Sequence, residues 1–131
     1  MDSAAKYFTF VGRVMLALPF IMSGLIKVPA YTGIVAEITR IGLPFAPLGW
    51  ALAVFVEVFC SFALLIGFQT RIVAIILALW CIVTAVFFHN NFADQNQSIH
   101  FLKNVMMAGG LLQIAYFGAG VLGLDNRRKT A

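Results

Sequence analysis

The chain has 131 residues, 62% of them hydrophobic and only 11% charged, with a formal net charge of +4. A soluble domain carries roughly a quarter charged residues, and the mean hydropathy here is +0.96, so the composition excludes an ordinary water-soluble globule. The basic residues are scattered at the ends of apolar runs, apart from Arg127, Arg128 and Lys129. That pattern excludes a nucleic-acid-binding patch and makes them reporters of membrane orientation.

Four apolar runs approach the roughly 20 residues that a membrane-spanning helix needs: 7–28, 48–68, 72–89 and 99–120. None has the charged face that a helix of a soluble all-helical protein shows to water. They predict an all-α integral membrane protein, a four-transmembrane-helix bundle in a single transmembrane domain. The first run follows a short polar start, MDSAAK. It lacks a small-x-small cleavage site and is too long for a signal-peptide core, so it is expected to be retained. Pro19 lies inside it, removes one backbone hydrogen bond and predicts a kink.

The next segment, TGIVAEITRI over 32–41, is too short to cross. Ile34, Val35, Ile38 and Ile41 recur at helical spacing, with Glu37 and Arg40 on the other face. This predicts a short amphipathic helix at the interface, between spans one and two. Gly42, Pro44 and Pro47 stop it and start the second span. Spans two and three are joined only by GFQTR, which forces an antiparallel hairpin. Spans three and four are joined by the polar stretch HNNFADQNQS, and the tail, 121–131, is polar and expected to fray. Cys60 and Cys81 form no C-x-x-C, and His89, His100 and Asp94 fit no metal-ligand spacing. No haem, flavin, iron–sulfur or metal motif is present.

Counting Lys and Arg gives an orientation. Lys6, Arg13, Arg71, Arg127, Arg128 and Lys129 fall on one side, and Lys27, Arg40 and Lys103 on the other. The richer side is expected to be cytoplasmic, with both termini there. The HNNFADQNQS stretch then faces outward, toward the periplasm in a Gram-negative cell.

Glu57 is the most informative residue, because an acid in mid-span costs several kcal/mol unless paired, hydrated or protonated. Its neighbours one helical turn away, Ala53, Val54, Cys60 and Ser61, are mostly small, which suggests packing against other helices. Comparable stripes run along the other spans. On the third, Arg71, Ala74, Ala78, Cys81, Ala85 and His89 recur. On the first, Arg13, Ala17, Phe20, Gly24 and Lys27 line up, with Ser23 nearby. On the fourth, His100, Lys103 and Asn104 share a face that continues to Gly110 and Gln113. Stripes meeting at the bundle centre predict an outward-facing polar vestibule, floored by Glu57 and walled by His89, Lys103 and Asn104. Lys27 and His100 lie at the same end. Arg13 and Arg71 lie toward the inner end, where their side chains can snorkel to lipid headgroups. The alternative is a Glu57–Lys103 pair that only fixes helix packing.

These residues also resemble a known pattern. Gly12–Arg13, SGLIK at Ser23 to Lys27, GLP at Gly42 to Pro44, Glu57, G-x-x-TR at Gly67 to Arg71, Phe88–His89, FLKN at Phe101 to Asn104 and GGLL at Gly109 to Leu112 resemble the DoxX family over nearly the whole chain. The resemblance implies a small bacterial inner-membrane protein with four transmembrane helices. It also places the family's polar positions on Arg13, Lys27, Glu57, Arg71, His89, Lys103 and Asn104. Some relatives are linked to quinone-coupled oxidation of sulfur compounds, others to membrane-associated redox complexes or stress responses. The implied function is a quinone-interacting or redox-linked subunit and, if an enzyme, part of a membrane oxidoreductase. His89 or Lys103 would hydrogen-bond a quinone carbonyl and Glu57 would relay its proton. The electrons would come from a redox partner subunit or soluble donor. Two other readings stay open. One is a non-catalytic assembly factor or scaffold for a membrane complex; the other is a transporter of a small solute or proton, with a homo-oligomer supplying further helices.

Overall fold

The computed structural model describes residues 3–129, and every regular element among them is helical. Helix α1 is Ala5–Lys27, α2 is Tyr31–Arg40, α3 is Ala46–Ile66, α4 is Thr70–Phe88, α5 is Gln95–Phe117 and α6 is Leu124–Lys129. Helices α1 to α5 each begin within a few residues of the segment that predicts them, whereas α6 falls in the polar tail that was expected to fray; Asp125, accepting from the Gln69 and Thr70 N–H groups, and Asn126, donating to the Gly120 carbonyl, tie it down. The largest offset is in α5, which starts at Gln95 because Asp94 caps it, accepting from the Asn96 N–H at 2.9 Å. The hydrophobic run marks only where the lipid-facing part of that helix begins.

Three helices, α1, α3 and α4, are long and apolar enough to cross a membrane. The expectation of four is met clearly only by these three. Helix α5 equals α1 in length, at 23 residues, but its first turns carry Gln95, Asn96, Gln97, His100, Lys103 and Asn104, which lower its hydropathy. The outer surface is nonetheless apolar along α5 as along the others, with Met15, Leu79 and Met106 all largely exposed. A soluble protein does not show so continuous a greasy surface to water.

The helices pack as a bundle in which α1 lies along α3, α3 along α4 and α4 along α5, with a lighter contact between α1 and α5. The core forms where the small-residue stripes meet. Ala17 and Phe20 of α1, Cys60 and Leu64 of α3, Ala74, Leu77, Ala78 and Cys81 of α4, and Ala108 and Leu111 of α5 are buried together. Small side chains let the backbones approach, so close packing replaces the hydrophobic drive that lipid removes. Pro19 sits within α1 without ending it.

Two local features position the site. In α3, residues Phe55–Cys60 form a π-helical turn. One extra residue in a turn rotates everything after it, and such turns concentrate at functional sites. On α1, Gly24 faces this turn so closely that a Cβ there would lie 2.6 Å from Val58 Cγ2 and 2.9 Å from Glu57 Cβ. Gly24 thus lets α1 approach the turn that carries Glu57. Helix α2 lies against the start of α3, with Ile38 buried beneath it.

Candidate functional site

Glu57 projects from the π-helical turn and is only 5% exposed. It lies about 16 Å along α3 from its start, at about 1.5 Å per residue, which is mid-membrane depth. Both carboxylate oxygens are occupied. Oε2 accepts from Lys27 Nζ at 2.8 Å, and Oε1 accepts from Trp80 Nε1 at 3.0 Å. Lys27 Nζ also donates to Ser23 Oγ, one turn back on α1, at 2.7 Å. The sequence thus places Ser23, Gly24 and Lys27 on one face of α1, so that one turn supplies a hydroxyl, a close approach and a cation. The last carbonyl of α1, that of Lys27, accepts from Trp50 Nε1 at 2.7 Å, which fixes the helix end.

The partner of Glu57 is therefore Lys27, not Lys103. Lys103 is exposed and does not line the cavity beside Glu57. The reason is angular. The buried face of α5 runs through Asn104, Ala108 and Leu111, with Asn104 half-buried and the other two fully so. Lys103 is one residue, or about 100°, off that face. Gln113 is exposed for a similar reason. Of the expected α5 stripe, Asn104 and Gly110 turn inward and His100, Lys103 and Gln113 turn outward.

A cavity of about 580 Å³ opens beside the Lys27–Glu57–Trp80 cluster. Its walls are mainly apolar, from Phe20 on α1, Leu52 and Ala53 on α3, Val83 and Phe87 on α4 and Met107 on α5. Ile34 and Ile38 of α2 and the Leu43–Pro44 turn roof it. Thr84, His89 and Asn104 add polar groups on the α4–α5 side. Asn104 Nδ2 donates to the His100 carbonyl at 2.8 Å, and its Oδ1 accepts from Thr84 Oγ1 at 3.4 Å. His89 Nδ1 lies 3.0 Å from Gln97 Oε1, and its ring stacks on His100 at 5.0 Å between centroids. His100 is itself exposed and outside the cavity lining. Of the expected vestibule residues, Glu57, Lys27, His89 and Asn104 share this cavity; Lys103 and His100 do not line it.

At the outer rim, Glu37 lines the same cavity and is paired with Arg40 through two hydrogen bonds, one of 2.9 Å. The hydrogen bond from Arg40 holds the Glu37 carboxyl below the usual range.

Trp80 is the site residue that the sequence reading missed. Tryptophan favours the membrane–water boundary, but Trp80 lies in the middle of an apolar run, where its indole N–H must find an acceptor. That displaced tryptophan was the signal.

The two arginines at the opposite end of the bundle from this cavity differ from each other. Arg13 does not snorkel to lipid. It is 1% exposed, and its guanidinium donates to the Leu64, Leu65 and Leu122 carbonyls at 3.0, 2.7 and 3.3 Å. The last carbonyls of α3 lack the regular partner four residues on and carry partial negative charge, so they hold the guanidinium with no carboxylate in hydrogen-bond contact. Arg71 is exposed at the same end, with one long 3.5 Å contact to the Ala115 carbonyl.

Comparison with known proteins gives a consistent result. The DoxX family model matches residues 8–90, which include nearly all of α1, the whole of α2 to α4 and all three members of the Lys27–Glu57–Trp80 cluster. Inner membrane protein YqjF of Escherichia coli is 34% identical over 115 residues, covering 88% of this chain and 87% of that protein. Inner membrane protein YphA of the same organism is 31% identical over 130 residues, covering 95% of this chain and 93% of that one. No solved structure matches the chain.

Proposed function

The chain belongs to the DoxX family of membrane proteins, and on that premise we propose that it is a redox-linked inner-membrane subunit whose cavity binds a quinone. In this reading α5 is the fourth crossing, and both termini lie on the cytoplasmic side, as the Lys and Arg distribution favours. The observation that carries the reading is the juxtaposition of the buried Lys27–Glu57–Trp80 cluster with a mainly apolar cavity of about 580 Å³. An ion pair that served packing alone would need no cavity beside it.

The residues present fit a quinone. Apolar walls with a few convergent polar groups suit a lipid-soluble carbonyl compound. Two of the three N–H donors of Lys27 are used by Ser23 and Glu57, leaving one for a carbonyl oxygen. Asn104 and His89 stand across the cavity as hydrogen-bonding groups for the far side of the ring. A bound quinone supplies two-electron, two-proton redox chemistry, with electrons from a partner subunit or soluble donor. Lys27 orients the carbonyl. Glu57, bonded to the same ammonium, stands ready to exchange the accompanying proton, and Trp80 holds the carboxylate in place. The π-helical turn and Gly24 set the distance between these groups.

The test is a titration of the purified protein in nanodiscs with a short-chain ubiquinone, read by quenching of Trp80 and Trp50 fluorescence. Saturable quenching is expected, with affinity at least about tenfold weaker in the Lys27→Met/Glu57→Gln double variant and unchanged in Lys103→Ala. Equal affinity in the double variant and the parent protein would overturn the proposed site.

A further inference from the structure

The opposite end of the bundle holds a second cavity, of about 440 Å³, between the start of α4, the end of α5 and helix α6. Its lining carries three cations, Arg71, Arg128 and Lys129, against one carboxylate, Asp125. That carboxylate is already engaged. Its two oxygens accept from the Gln69 and Thr70 N–H groups, each at 2.8 Å, and so cap α4. Among the described residues, the ion pairs are Lys27–Glu57 and Glu37–Arg40, so none of the three cations has a carboxylate within ion-pair distance. Arg71 makes only its long contact to Ala115, and Arg128 lies over the Phe68 ring at 5.3 Å. The cavity therefore has a surplus of positive charge and accessible guanidinium donors, arranged round a turn whose backbone is opened by Gly118 and Gly120, both at positive φ.

Its walls add a second property. Ile72 and Phe117 line it and are 58% and 70% exposed, on the lipid-facing surface of α4 and α5. The cationic cavity thus opens onto an apolar strip at the depth where spans end.

We propose that Arg71, Arg128 and Lys129 form a phosphate-binding site, whose occupant is the headgroup phosphate of an anionic phospholipid with its acyl chains along Ile72 and Phe117. A guanidinium offers a planar fork of donors that matches phosphate oxygens. The apolar strip distinguishes a lipid from a free phosphate, which would gain nothing from Ile72 or Phe117. The site is separate from the quinone cavity and stands or falls without it.

Native mass spectrometry of the full chain in detergent tests this, with dioleoylphosphatidylglycerol, dioleoylglycerol and soluble glycerol phosphate as probes. Phosphatidylglycerol should bind at least about tenfold more tightly than dioleoylglycerol. It should weaken by a similar factor in Arg71→Gln/Arg128→Gln. Lys6→Gln, a charge removed at the same end but outside the cavity, should leave binding unchanged, and melting temperature controls for folding. Equal loss in Lys6→Gln would reduce the effect to general surface charge and overturn the site. So would equal binding of phosphatidylglycerol and dioleoylglycerol. Glycerol phosphate binding as tightly as the lipid would overturn the lipid as occupant and leave a free phosphate ester in its place.

Discussion

Lys27 and Arg13 belong to the same stripe of α1, yet the fold treats them in opposite ways. Arg13 is enclosed, and the carbonyls of Leu64, Leu65 and Leu122 absorb its charge. It ties α1 to the end of α3 and to the segment before α6. Lys27 meets a carboxylate, keeps an N–H donor to spare, and faces a cavity. A buried cation held by helix-end carbonyls needs no other occupant and acts as a latch. A buried cation held by an acid beside open space can exchange partners. Membrane cost alone marks both as unusual; what surrounds them separates structure from function.

Removing Arg13 should have the largest effect. Arg13→Ala removes three hydrogen bonds from a charged donor, and among the described residues only the Leu64 carbonyl keeps a second partner, the Gly67 N–H at 3.2 Å; since hydrogen bonds to charged groups are worth about 1.5–3 kcal/mol each, a loss of at least about 3 kcal/mol is expected. A thermal melt in detergent should show this, with no specific change in quinone affinity for whatever protein still folds. A melting temperature near that of the parent would break the distinction between latch and site.

The ion pair comes next. Glu57→Gln strands the Lys27 charge and should cost about 1–3 kcal/mol. The Lys27→Met/Glu57→Gln double variant should regain much of that stability, because breaking a buried pair costs more than replacing both charges, while quinone quenching stays lost. If quinone affinity returned together with stability, the pair would be only a packing element. Gly24→Ala sharpens the same contrast. A Cβ 2.6 Å from Val58 and 2.9 Å from Glu57 forces α1 away, at a cost of about 1–3 kcal/mol. Weakened quinone binding with Lys27 and Glu57 intact would show that their spacing matters and not merely their presence.

Asp125 has a smaller effect with a defined pH dependence. Burial pushes against ionisation, but hydrogen bonds from Thr70 and the Gln69 N–H, with Arg128 nearby, hold its carboxyl below the usual range. Because the folded value is the lower one, this stabilisation is full above the unfolded value of about 3.9. It is lost as pH falls through the folded value. Asp125→Ala should cost about 1 kcal/mol, as for a lost helix cap, and should flatten the acid limb of a melting-temperature profile. An unchanged acid limb would exclude the cap as its source.

Much of the architecture was legible from residue order. The small-residue stripe on α1 contains the helix's buried residues Arg13, Ala17, Phe20 and Gly24, and the α4 stripe runs through buried Ala74, Ala78, Cys81 and Ala85. In both helices the spacing of small side chains follows the inner face. On α5 it does not, because polar groups occur on two adjacent faces, and sequence spacing alone cannot say which face turns inward. That ambiguity moved the expected partner of Glu57 from Lys27 to Lys103.

The sequence by itself determined that this chain lives in a membrane, that a short amphipathic helix divides its first two spans, and that Glu57 must have a partner. Those conclusions rest on hydrophobic length, helical period and the cost of a charge in lipid, all of which are local. Tertiary structure decided which cation answers that acid, that Trp80 shares it, that Arg13 is a latch and that a cavity lies beside the pair. These depend on the rotation imposed by the π-helical turn and on the close approach at Gly24. Both are relations between helices, which no single segment encodes.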